Sequence, residues 1–137
     1  MGMLRSIFSR REKQRKILVI EDDPDIATGI EIRLSQENFA VVLAANGPDG
    51  IEKAKSDPPD LIILDLMLPK MDGYETCKIL KQRENTKHVP VLVLTALPLM
   101  GDAEKAFAAG ADDFLKKPYR NQQLIEKIQK LLPPPSG

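Results

Sequence analysis

A (βα)5 doubly wound sheet of five parallel strands is the fold that this sequence predicts, and three observations predict it. Short aliphatic runs recur along the chain, and each is followed by a stretch whose apolar residues repeat at helical spacing. The most apolar run, Leu61-Ile62-Ile63-Leu64, has no polar interruption, which is the pattern of a strand covered on both faces. Strand and helix alternate throughout, so a parallel sheet with helices on both sides and right-handed crossovers is the economical arrangement. A length of 137 residues suits one domain.

Residues 1–15 read as a basic tail ahead of that domain. Met3, Leu4, Ile7 and Phe8 fall at helical spacing among Arg5, Arg10, Arg11, Lys13 and Arg15. That fits either a short amphipathic helix or a frayed terminus. The domain is expected over 16–132. Lys16–Ile20 is its first strand, and Asp23-Pro24 then marks a helix start, because Asp suits the N-cap and Pro the first turn. Ile26, Ile30 and Leu34 recur about one turn apart along that helix. Ala40–Ala44 is the second strand. Asn46-Gly47 breaks the chain before a helix that keeps Ile51 and Ala54 inward and runs to about Ser56. Asp57-Pro58-Pro59-Asp60 stops it, since a residue before proline is pushed out of the α region.

The strand ending in Asp65 comes next, then a loop over 66–73 and a helix over 74–83 with Cys77 and Leu80 on one face. Val91–Leu94 is a fourth strand, closed by Thr95-Ala96. A helix over 101–109 stops at Gly110, a suitable C′ residue. Asp113–Lys116 is a short fifth strand that ends at Lys117-Pro118. The last helix, 121–132, carries Leu124, Ile128 and Leu131 in one stripe. Residues 133–137 are proline-rich and are either a tail or the start of a linker.

Charge narrows the classes of function. The formal net charge is zero, but residues 1–16 carry +5 and the remainder −5. An acidic body offers no footprint for a phosphate backbone, so nucleic-acid binding by the domain is not expected. No apolar run is long enough to span a membrane and no signal peptide is visible, so the expected location is cytoplasmic. The single Cys77 excludes an internal disulfide and a cysteine-rich metal site.

In such a sheet all strand C-termini share one edge, where ligands of open α/β folds bind. Glu21 and Asp22 follow the first strand, Asp65 closes the third, Thr95 the fourth, and Lys117 follows the fifth. Each has a plain structural reading. Asp22 or Asp23 caps the next helix, Thr95 is a common strand residue, and Lys117 is a solvated charge. Together they differ from a set of surface residues, because clustered carboxylates repel and call for a cation. The chemistry that fits is metal-assisted phosphoryl transfer to a carboxylate. Mg2+ takes hard oxygen ligands, commonly one or two carboxylates with waters and a phosphate oxygen. Glu21 and Asp22 would hold it, Asp65 would be both ligand and nucleophile, and a loop carbonyl near Met67 would complete the shell. Lys117 would neutralise a phosphate oxygen and the Thr95 hydroxyl would donate to another.

These residues stand in four segments that resemble the receiver domain of two-component response regulators: Ile17–Asp23, Leu64–Gly73, Val93–Ala96 and Gly110–Pro118. The resemblance covers about Lys16 to Leu132. It implies the flavodoxin-like strand order 2-1-3-4-5, Asp65 as phosphoacceptor, Glu21 and Asp22 as the acid pocket, the Met67 backbone carbonyl as a metal ligand, Thr95 as switch hydroxyl and Lys117 as phosphate partner. Asp23 falls outside that pocket. A cis bond between Lys117 and Pro118 is implied as well.

The same resemblance makes Phe114 the aromatic that rotates when Thr95 moves inward, remodelling the face of the fourth helix, fifth strand and last helix. The alternative is a permanently buried core Phe. The segment Ala96-Leu97-Pro98-Leu99-Met100 is apolar where polar residues are expected, which suits either local packing or a partner contact. Met67 and Leu97 fall where the family flanks the attacking water, and neither side chain can hydrogen-bond it, so slow self-dephosphorylation is expected.

The implied function is a phosphorylation-activated switch that takes its phosphoryl group from a histidine kinase or phosphotransfer protein. It would catalyse only its own phosphorylation and dephosphorylation. Its readers would be a downstream protein or an output domain outside this sequence, with the chain a monomer or weak dimer. Two other readings stand beside it. An aspartate-nucleophile phosphohydrolase resembles a pattern with a second Asp two residues after the nucleophile, where this chain has Met67. A phosphorylation-independent scaffold is the other, and the intact site residues weigh against it.

Overall fold

The structure is a computed structural model and describes residues 14–66, 72–96 and 109–132. Residues 1–13 of the basic tail, the proline-rich end, the loop residues Met67 to Met71, and the apolar segment from Leu97 with residues 101–108 of the helix expected over 101–109 lie outside the described residues.

Five strands, β1 (Lys16–Ile20), β2 (Ala40–Ala44), β3 (Leu61–Asp65), β4 (Val91–Thr95) and β5 (Asp113–Lys116), form one sheet in the order β2-β1-β3-β4-β5. All neighbouring pairs are parallel. Four helices are described: α1 (Pro24–Gln36), α2 (Gly47–Ser56), α3 (Gly73–Gln82) and α4 (Asn121–Leu131). This is the flavodoxin-like order, with its point of reversal between β1 and β3.

The strands alternate between two cores. On one face Leu18, Ile20, Ile62, Leu64, Val91 and Val93 meet Ile51 and Ala54 of α2 and Cys77 and Leu80 of α3. On the other, Ile17, Val19, Leu61, Ile63, Leu92 and Leu94 meet Ile30 and Leu34 of α1 and Leu124, Ile125 and Ile128 of α4. Full burial of one such side chain contributes roughly 1.5–3 kcal/mol, so helices on both faces are what the continuous aliphatic runs require. β3 and β4 are buried along their whole length, whereas β2, at the edge, is only half-buried.

Local chemistry sets the helix starts. The Asp23 carboxylate accepts from the amides of Asp25 and Ile26 and caps α1, as its position before proline predicts; such a cap contributes about 1 kcal/mol. Asn46 caps α2 through the amide of Asp49. Asp72, expected in a loop, caps α3 through the amide of Glu75, so α3 begins one residue earlier than periodicity suggests. Gly110 takes the left-handed φ of 99°, which a side chain would strain. The Lys117–Pro118 peptide is cis.

Candidate functional site

Strand register assembles the site. Ile20 is aligned with Leu64, so Glu21 and Asp65 stand side by side one step on, across the point where strand order reverses. Asp65 is aligned with Leu94 and Thr95 with Lys116, which brings Thr95 and then Lys117 to the same edge. Backbone bonds hold these ends: the Glu21 amide to the Ala44 carbonyl at 2.9 Å, Leu66 to Leu94 at 3.2 Å, and Lys117 to Thr95 at 2.7 Å.

All five residues expected from the sequence are therefore on one edge. Glu21 and Asp65 are buried, Asp22 is exposed, and each offers a carboxylate oxygen within 4.8 Å of the other two. The Lys117 ammonium lies 3.2 Å from Asp65 Oδ2 and 3.7 Å from Glu21 Oε1. Thr95 is buried at the end of β4. Phe114 is half-buried against the core of α2 and α3, opposite Val93; alternation along β4 puts Thr95 on that same face. The Met67 carbonyl and Leu97 lie outside the described residues.

Three carboxylates face one ammonium, and the imbalance leaves a mark. Glu21 Oε2 accepts from the Asp23 amide at 3.4 Å, but the buried Oε1 has no hydrogen-bond partner. An acceptor out of water and without a donor costs free energy unless a proton or a cation reaches it. Burial first, and then the Asp65 carboxyl, push the Glu21 carboxyl up to about 8. A protonated Glu21 can donate to Asp65 or Asp22; an ionised one needs an external cation. The donor set is all carboxylate oxygen, which suits a hard divalent ion such as Mg2+ and not a soft one.

Two neighbours were not singled out by the sequence. Tyr119 is half-buried against the core of α1 and α4, and burial first, then the charges of Glu21 and Asp65, raise its phenol. Only its place after Lys117-Pro118 marks it. The other is the Asp72-Gly73 pair, where α3 meets the strand that ends in Asp65. Asp72 followed three residues later by Glu75 is a helix-start signature that could have found it.

Comparison with known proteins gives this edge a lineage. Residues 17–129 match the family described as response regulator receiver domain. The chain belongs to that family. The receiver domain is 42% identical over 117 residues to the DNA-binding dual master transcriptional regulator RpaA of Synechocystis sp., with 85% of this chain and 48% of that protein aligned. It spans about half the length of the first curated relatives it matches. Among solved structures it is similar to the receiver domain of a sensor histidine kinase of Pseudomonas aeruginosa, which has a magnesium ion coordinated in its active site cleft. That likeness has a TM-score of 0.80, 35% identity, and coverage of 86% of this chain and 97% of that one. The chemotaxis protein CheY4 of Vibrio cholerae gives a TM-score of 0.83 at 28% identity, covering 87% and 99%. Receiver domains are signalling switches of two-component systems. No helix among the described residues is long and apolar enough to cross a membrane.

Proposed function

We propose that this receiver domain is a phosphorylation-activated switch in the cytoplasm, with Asp65 as the phosphoacceptor and a histidine kinase or phosphotransfer protein as donor. One observation carries the reading most directly: three carboxylates stand within 4.8 Å of one another while the buried Glu21 Oε1 has no donor. A structural cluster would be neutralised from within. A divalent cation would complete this one, held by Glu21, Asp22 and Asp65 and, as the family resemblance implies, by the backbone carbonyl of Met67. Mg2+ held there would supply positive charge to offset the carboxylates and the incoming phosphoryl oxygens.

The remaining chemistry belongs to the chain. An Asp65 carboxylate oxygen attacks the phosphorus of a phosphohistidine. The new P–O bond forms as the P–N bond breaks, and its electron pair returns to the imidazole nitrogen, which takes up a proton. The Lys117 ammonium, already 3.2 Å from Asp65, would neutralise a phosphoryl oxygen, and the Thr95 hydroxyl would donate to another. Positioning and electrostatics supply nearly all of such catalysis. Thr95 and Phe114 share a face of the sheet, so a Thr95 drawn toward the phosphoryl group frees space beside Phe114. That rearranges the β5 and α4 surface read by a downstream protein or an attached output domain. The domain acts on itself and does not turn over a separate substrate.

Treatment with acetyl phosphate and Mg2+ tests this, with intact mass as readout. Wild type is expected to gain one phosphoryl group and Asp65→Ala none; an adduct of equal yield on Asp65→Ala would overturn the assignment.

A further inference from the structure

Gly73 lies against the peptide that carries Asp65. Its amide donates to the Leu66 carbonyl at 3.1 Å. A Cβ at Gly73 would stand 2.5 Å from Leu66 Cα and 2.7 Å from the Asp65 carbonyl oxygen. Both are backbone atoms, so no rotamer change relieves the contact; either the strand end or the first turn of α3 must move. From the other side β4 holds the same peptide, through the Leu66 amide and the Leu94 carbonyl at 3.2 Å. The first turn of α3 is itself fixed by Asp72, which caps Glu75 at 2.8 Å and whose carbonyl accepts from the Thr76 hydroxyl at 3.0 Å. Gly73, α3 and β4 thus clamp the segment that aims the Asp65 carboxylate at Lys117.

We infer that Gly73 is a positioning residue for phosphoryl transfer: the absence of a side chain lets α3 press on the Asp65–Leu66 peptide and hold the carboxylate in register with Thr95 and Lys117. The inference rests on Asp65 being the phosphoacceptor. A methyl group here displaces the peptide by a large fraction of an ångström, and a misplacement of about 1 Å at a reacting group can cost about 100-fold in rate.

Gly110 provides the control. It lies at the opposite edge of the sheet, takes a φ of 99°, and its Cβ would stand 2.9 Å from carbons of the Lys81 side chain. Gly110→Ala therefore strains the fold without touching the site. Phosphorylation by acetyl phosphate in Mg2+ is followed against acetyl phosphate concentration for wild type, Gly73→Ala and Gly110→Ala, at a temperature where circular dichroism shows each folded. Amide shifts of Leu66 and Leu94 are recorded in the metal-free proteins. Gly73→Ala is expected to lower the saturating rate about 100-fold with little change in the half-saturating concentration, and to shift both amides. Gly110→Ala is expected to keep the wild-type rate and leave both amides in place, although its melting temperature falls.

A folded Gly73→Ala that reacts at the wild-type rate, or a Gly110→Ala slowed equally, overturns the inference. If Gly73→Ala does not fold, Asp72→Ala decides, since it loosens the same turn without adding atoms. A several-fold slower saturating rate supports the clamp, and an unchanged rate overturns it. A wild type that gains no phosphoryl group defeats the assignment of Asp65 instead.

Discussion

The two edges of this sheet carry the same kinds of charge and treat them in opposite ways. Where the strands begin, each carboxylate that reaches the backbone has donors. Asp112 Oδ2 accepts from the Val91 amide at 2.8 Å and from the Lys81 ammonium at 3.0 Å, and Lys81 also donates to the Val89 carbonyl. Asp60 accepts from the Lys16 amide, and the Lys16 ammonium pairs with Asp57. Where the strands end, Glu21 and Asp65 share Lys117, Asp22 stands beside them, and Glu21 Oε1 has no hydrogen-bond donor. At the first edge these bonds fasten β4 to the start of β5 through Asp112 and β1 to the start of β3 through Asp60. At the second the acids outnumber the one ammonium beside them, which leaves a net negative charge at the point of strand reversal. A lysine beside an aspartate is thus structural or functional according to whether the local charge closes.

Exchanging one acid at each edge tests that contrast with the largest effect. Asp65→Asn removes a repelling charge, so the metal-free domain is expected to gain about 1 kcal/mol, seen as a melting temperature higher by roughly 3–5 °C, while the phosphoryl adduct is lost entirely. Asp112→Ala strips the Val91 amide and Lys81 of their acceptor and is expected to cost about 2 kcal/mol with the phosphorylation rate unchanged. Thermal melts and intact mass on the two variants read both quantities. An Asp65→Asn protein as destabilised as Asp112→Ala would mean that both edges are structural.

How far this contrast could be read beforehand depends on what sets it. The five strands are written locally, as aliphatic runs closed by Asp65, Thr95 and Lys117, and all five lie where those runs place them. The Asp23 cap is equally local, one carboxylate and two amides within three residues. The five site residues could be gathered because strand ends in a parallel sheet share an edge, a rule of topology that needs no distances. The balance of charge was out of reach. Lys81 and Asp112 look in sequence like any solvated pair, and only the fold brings them together on Val91. Glu21 and Asp22 are neighbours of like type, yet one is buried and the other exposed. Nor does the sequence say that Gly73 meets the backbone behind Asp65, since that contact depends on how α3 leaves a loop.

Adding the missing charge is the next test. A cation that binds the folded domain and not the unfolded chain stabilises it by about 2.7 kcal/mol at 100 times its Kd. Mg2+ is therefore expected to raise the melting temperature of wild type and of Asp112→Ala alike, and to leave Asp65→Asn nearly unmoved. Titrating Mg2+ against thermal melts after treatment with a chelator gives the comparison. An equal rise in Asp65→Asn would place the ion somewhere other than this edge.

The smallest effect comes from protons, which also neutralise carboxylates. In the metal-free domain burial, followed by Asp65, lifts the Glu21 carboxyl from 4.5 to about 8. A raised value in the folded state means that the folded chain keeps its proton after the unfolded chain has lost it. Linkage then favours unfolding as pH climbs through that interval. The contribution of Glu21 is therefore whole below the unfolded value, declines between about pH 4.5 and about pH 8, and is fully lost above. Melting temperatures in chelator from about pH 5 to about pH 9 should fall more steeply for wild type than for Glu21→Gln, which cannot ionise; titrations common to both proteins cancel in the difference. Asp112→Ala leaves that edge intact and should keep the wild-type slope on a lower curve. Parallel curves for wild type and Glu21→Gln would mean that Glu21 is already neutralised from within, and the contrast between the two edges would lose its basis.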